Sequence, residues 1–196
     1  MVASSLFAGV ISLFALGASA APKALHARQT TTTTTGTENI GLYLDSDDFD
    51  INSLQTLRVS YANTSAYIGQ IKYEAYAEPL VIGAFDDGDQ NSVSFLSIHQ
   101  SPTGYQQMYI IADETQPVGF SVPHGSAPQG VTTSGFSFGP EGALLNGGVN
   151  NFYACQNAQQ AAMNTWQIWW FGAGQPNAVG CKGPIKLVAG DACARS

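Results

Sequence analysis

The chain has 196 residues and a formal net charge of −7; only 11% of it is charged, against 44% hydrophobic. So acidic a chain argues against nucleic acid and anionic lipid as partners held by charge. The length gives room for one domain with a real core.

In chain order, residues 1–20 read as a secretory signal peptide. The apolar run "SLFAGVISLFALGASA" closes on Ala18-Ser19-Ala20, a small-x-small cleavage pattern. Residues 21–37 follow as a processed, disordered segment. Cleavage after Arg28 would remove a propeptide and leave the chain more acidic by two charges, those of Lys23 and Arg28. The hydroxyl-rich tract Thr30, Thr31, Thr32, Thr33, Thr34 and Thr35 has nothing to bury, and predicts a flexible, O-glycosylated linker. Residues 38–196 form the expected single domain. No second run of membrane length occurs, and "KLVAGDACARS" lacks the hydrophobic tail of a lipid-anchor signal. The expectation is a secreted, extracellular protein with no membrane anchor.

Within that domain no long stretch keeps a 3.6-residue apolar period, while short β-prone segments recur between turn residues. Strands are predicted at Ile40–Leu44, Leu54–Tyr61, Ala66–Tyr73, Leu80–Phe85, Ser92–Ile98 and Gln107–Ala112. Further strands are predicted at Val118–Val122, Gly135–Phe138, Ala143–Leu145, Phe152–Cys155, Thr165–Trp170 and Pro184–Val188. "NAQQAAMN" at Asn157–Asn164 reads as a hairpin insertion with room for one helical turn. The pattern predicts an all-β fold, a single antiparallel β-sandwich or barrel-like domain. Asn63-Thr64-Ser65 is the one N-glycosylation sequon and marks a surface turn.

Residues able to carry chemistry are few. Asp45–Asp50 and Asp86–Asp89 are acidic enough for calcium, but the first fails the EF-hand pattern, and both read as solvated turns. Glu74, Glu78 and Glu141 supply carboxylates for glycoside hydrolysis without any pairing visible in the sequence. Past the leader only His99 and His124 remain as bases, no G-x-S-x-G elbow is present, and His124-Gly125-Ser126 lies in a Pro/Gly-rich loop. No metal, cofactor or catalytic residue is therefore assigned.

The three cysteines say more. In a secreted chain one pair should be oxidised. Cys155–Cys181 is the favoured bridge, stapling three successive strands, and leaves Cys193 as a free or intermolecular thiol. The alternative, Cys181–Cys193, closes a shorter loop.

"GFSFGPEGALLNGGVNNFYAC", "WQIWWFGAG" and "CKGPIKLVA" resemble the C-terminal part of the fungal phialide cell-wall protein family. "GYQQMYIIADETQPVGFSVPHGSAPQG" and "LQTLRVSYANTSAYIG" extend that resemblance upstream. A more distant one, through "FYAC" and the following Cys, runs to the C-terminal domain of yeast cell-wall mannoproteins with internal repeats. The chain departs from the pattern in lacking upstream cysteines, in having Cys193, and in lacking glutamine-bearing repeats. The resemblance implies an all-β, non-enzymatic protein of the fungal wall or of conidium-forming cells. Its partners would be wall polysaccharide, glucan or chitin, or other wall proteins.

"TWQIWWF" at Thr165–Phe171 carries all three tryptophans. Alternation along a strand puts Trp166, Ile168 and Trp170 on one face and Gln167, Trp169 and Phe171 on the other. The all-apolar face should be core, since burying one Trp stabilises by up to roughly 4–6 kcal/mol. Trp169 and Phe171 are then either covered or an exposed, candidate carbohydrate-binding pair. The leading expectation is a non-enzymatic wall protein. A carbohydrate-binding module or effector, recognising glucan, chitin or a host surface, is the alternative, and an unrecognised hydrolase the third.

Overall fold

The computed structural model describes residues 40–45, 49–50, 54, 57–71, 77–83, 91–97, 99, 104–176 and 180–191. The predicted leader, the Thr tract and Cys193 lie outside these residues.

The described chain is nearly all strand: β1 (Ile40–Asp45), β2 (Ser60–Ala62), β3 (Ser65–Ile68), β4 (Glu78–Pro79), β5 (Val81–Ile82), β6 (Ser94–Leu96), β7 (Tyr105–Tyr109) and β8 (Thr115–Pro117). There follow β9 (Gly119–Phe120), β10 (Phe136–Phe138), β11 (Leu144–Asn146), β12 (Phe152–Gln156), a short helix α1 (Ala158–Ala162), β13 (Trp166–Phe171), β14 (Gly180–Lys182) and β15 (Lys186–Asp191). Thirteen of these strands form one antiparallel sheet, curled into a half-barrel, with the path β14-β12-β13-β3-β9-β7-β6-β5-β1-β15. β2 and β4 branch from β3, and β8 pairs with β13, while β10 and β11 make a separate hairpin.

The predicted all-β class is what forms. Three short strands, β4, β8 and β14, fall outside the segments read from the sequence. They are two or three residues long, too short to show an alternation, and β8 includes Pro117. The segment Leu54–Tyr61 is strand only at its end; before that, Arg58 makes an isolated bridge to Tyr43.

The core lies inside the curl. Tyr61, Phe95 and Phe120 meet there at centroid distances of 4.4 Å (Tyr61–Phe95) and 5.4 Å (Tyr61–Phe120), and Phe152 packs edge-on against Trp170 at 5.2 Å. The Tyr61 hydroxyl donates to Gln106 Oε1 at 2.6 Å, giving one buried polar group a partner where water is excluded. Phe49 packs edge-on against Trp166 at 5.2 Å, with the Lys182 ammonium 4.8 Å from the Phe49 ring centre.

The two end strands of the path, β14 and β15, are consecutive in the chain, joined by Gly183, a cis peptide and Pro184-Ile185. Ile185 N donates to Phe152 O at 2.7 Å, so the connector stays bonded to β12 as it crosses. The β10–β11 hairpin lies against β15 through an Ala143–Val188 bridge, and Phe136 and Leu144 are fully buried. Lys186 of β15 reaches Glu141 in the hairpin turn at 2.8 Å and Asp45 of β1 at 3.3 Å.

Candidate functional site

β12 and β13 form an antiparallel pair in which Phe152 opposes Trp170 and Ala154 opposes Ile168. All four are buried, as is Trp166. The intervening residues belong to the opposite face: Tyr153 opposes Trp169, and Cys155 opposes both Gln167 and Cys181. Between them lies α1 (Ala158–Ala162), capped by Asn157 and Met163, with a reciprocal cap at its start. Asn157 Oδ1 accepts from Gln160 N and Gln160 Oε1 accepts from Asn157 N, both at 2.8 Å. The predicted hairpin insertion is thus a helical turn within a hairpin.

The bridge is Cys155–Cys181, with Cα atoms 4.1 Å apart. The expected staple over three successive strands has a different spatial order. β13, the middle one of the three in the chain, is not between the other two: β12 lies between β14 and β13, so the disulfide joins direct neighbours. Cys193 lies outside the described residues.

Trp169 and Phe171 are neither fully covered nor fully exposed; both are half-buried. Phe171 stacks on Tyr153 at 3.8 Å with the rings 5° from parallel. Tyr153 also lies against Gly183, where an added Cβ would come within 2.9 Å of the Tyr153 ring. Trp169 sits between Tyr153 on one neighbouring strand and Pro117 on the other. Gln167 Nε2 donates to Ser65 Oγ at 2.9 Å, which in turn donates to Val118 O. Trp166 Nε1 and Trp170 Nε1 donate to Asn164 Oδ1 and Ala112 O, but the buried Trp169 Nε1 has no partner among the described residues.

The same face continues across the sheet. Gly119 opposes both Ser65 and Tyr109, whose ring lies so close over Gly119 that a Cβ there would come within 2.3 Å of it. Gln107 N donates to Ser121 Oγ at 2.9 Å. From β14 to β7, the described strand positions on this face carry rings, amides, hydroxyls, a disulfide, a proline and glycines, and no Asp, Glu, His, Lys or Arg. Asp113 and Glu114 are exposed in the turn between β7 and β8, which leads into the Pro117 strand.

The other sequence candidates are dispersed. Asn63 is exposed at the tip of the β2–β3 hairpin, where Asn63 and Thr64 have φ of 45° and 59°. Two successive positive φ values are what a two-residue hairpin turn demands. Glu78 is buried and accepts a hydrogen bond from Ser97, while Glu141 is exposed and pairs with Lys186. His99 and His124 are exposed, with the His124 ring against Gly104. Of the acidic runs, Asp45 pairs with Lys186, and Asp86–Asp89, like Glu74, lies outside the described residues. Among the described residues no three His, Cys, Asp or Glu side chains gather as a metal site would need, and no helix is long and apolar enough to cross a membrane.

Sequence reading found Trp169 and Phe171 but missed Tyr153 and Pro117. Alternation in "FYAC" puts Tyr153 on the face of Cys155; only the strand register reveals that this is also the face of Trp169. Comparison with protein-family models, curated proteins and solved structures found no match for this chain.

Proposed function

We infer that the chain is a non-enzymatic, secreted structural protein of the fungal cell wall or extracellular matrix, of the kind associated with conidium-forming cells. The observation that carries this reading is the Cys155–Cys181 bridge, because such bonds persist in oxidising, extracellular compartments. It is joined to a secretory leader, to a Thr-rich stalk, and to a sequon whose Asn63 is exposed at a hairpin tip. The quoted resemblance to phialide wall proteins points the same way.

Sequential extraction of walls with hot detergent, reductant, mild alkali and glucanase tests it. The protein should resist detergent and leave with alkali or glucanase; release by reductant would instead place it in the wall through a Cys193 disulfide. Recovery only in the culture medium would overturn the wall role. A second reading, a carbohydrate-binding module, is favoured by one observation: the half-buried rings of Trp169, Phe171 and Tyr153 share one uncharged sheet face.

A further inference from the structure

We propose that this face is a binding platform for a neutral, β-linked polymer of gluco-configured sugars, with Tyr153, Trp169 and Phe171 as its stacking surface and Gln167 as its polar contact. The proposal rests on the carbohydrate-binding reading and narrows it to one ligand class.

Three observations carry it. First, the rings are held in place while only half-buried. Tyr153 stacks on Phe171 and lies against Gly183, and Trp169 is flanked by Tyr153 and Pro117, so little ordering cost remains for a ligand to bear. Second, the indole of Trp169 serves the fold less well than its two neighbours do. Their N–H groups are hydrogen-bonded and its own is not, which costs stability that a phenylalanine would avoid. A wide ring retained at that cost is accounted for by its surface. Third, the face bears amides and hydroxyls but no ionised side chain, on a chain whose net charge is −7.

Those chemistries select the ligand. A flat ring is matched by a pyranose whose hydroxyls are equatorial, because its faces then present only C–H groups. That is the gluco configuration, in glucose and N-acetylglucosamine alike. In an α-linked mannose both faces carry an axial oxygen, O1 on one and O2 on the other, so either face would press an oxygen against the ring without a partner. An anionic polymer would meet no cation on this face, and Asp113 and Glu114 at its border.

The test is affinity of the purified chain for a soluble β-1,3-glucan, insoluble chitin, α-mannan and a polyuronate. Glucan or chitin should bind, the two arms separating the sources of gluco-configured sugar, and α-mannan and polyuronate should not. Trp169→Ala and Phe171→Leu should each weaken binding about tenfold, and Val149→Ala, which trims an exposed apolar side chain beside the β10–β11 hairpin and off this face, should change it by less than about twofold. If Trp169→Ala fails to fold by near-ultraviolet circular dichroism, Phe171→Leu and the tryptophan emission of the wild type decide. Emission should shift on adding glucan, and binding without a shift overturns the platform. Unchanged affinity in folded variants also overturns it. Equal binding of α-mannan through the same rings would sink the ligand class and leave carbohydrate binding standing; no binding to any polymer would sink both. Self-association of the ligand-free chain that Trp169→Ala abolishes would assign the face to a second copy instead.

Discussion

Trp166, Trp169 and Trp170 lie within five positions and meet three different environments. Trp166 and Trp170 are 9% and 4% exposed and pack edge-on against Phe49 and Phe152. Trp169, one position from Trp170 and on the opposite face, is half-buried beside Tyr153. Alternation alone separates them, and it was legible in the sequence. The surroundings of Trp169 were not, because Tyr153 and Pro117 arrive from other strands. A second residue-scale device is the ion cluster of Lys186, Glu141 and Asp45. The Lys186 hydrogen bond and charge hold the Glu141 carboxyl below its ordinary value, and Glu141 raises Lys186. A lowered carboxyl contributes stability that is complete above its ordinary value and is lost as pH falls through the lowered one; for Lys186 the loss comes as pH rises through its raised value. Glu141→Gln should therefore lower the thermal midpoint slightly at neutral pH and low salt. The gap should close on acidification and in high salt, since an exposed pair is strongly screened. A gap unchanged at acidic pH would show that the charge is not the cause.

At the scale of elements, β12, α1 and β13 form one unit whose turn carries its own start signal. Asn157 and Gln160 stand at the spacing of a reciprocal cap, and both bonds form. Asn157→Ala should cost about 1 kcal/mol in urea unfolding, while Asn157→Asp, which keeps an acceptor, should cost little. Equal loss in both would point to packing rather than capping. The long strands β1, β12 and β13 were readable because each has at least five residues of pattern. β8 and β14 were not. Thr115–Pro117 is a strand only because β13 runs past β3 and offers Trp169–Phe171 as a partner. Gly180–Lys182 is one because β12 offers Ala154–Gln156.

At the scale of the molecule, the sheet's end strands are neighbours in sequence, and the disulfide fastens one of them, β14, to β12. The bridge spans a sequence separation of 26. In the chain-entropy account, a loop of that size is worth about 3–4 kcal/mol. The double variant Cys155→Ala, Cys181→Ala should lose roughly that much unfolding free energy. A loss well below about 1 kcal/mol would mean that the sheet's pairing, not the bridge, holds β14.

The sequence by itself determined the all-β class, the favoured cysteine pair, the exposed turn at Asn63 and the two faces of "WQIWWF". Each follows from local chemistry: a period of two, cysteine placement, a turn-forming Asn. Only the tertiary structure decided that β12 stands between β14 and β13, that Tyr153 stacks on Phe171, and that the half-buried rings lie on a face free of ionised groups. Those depend on strand register, which is set by contacts between residues far apart in the chain and leaves no period in any one segment.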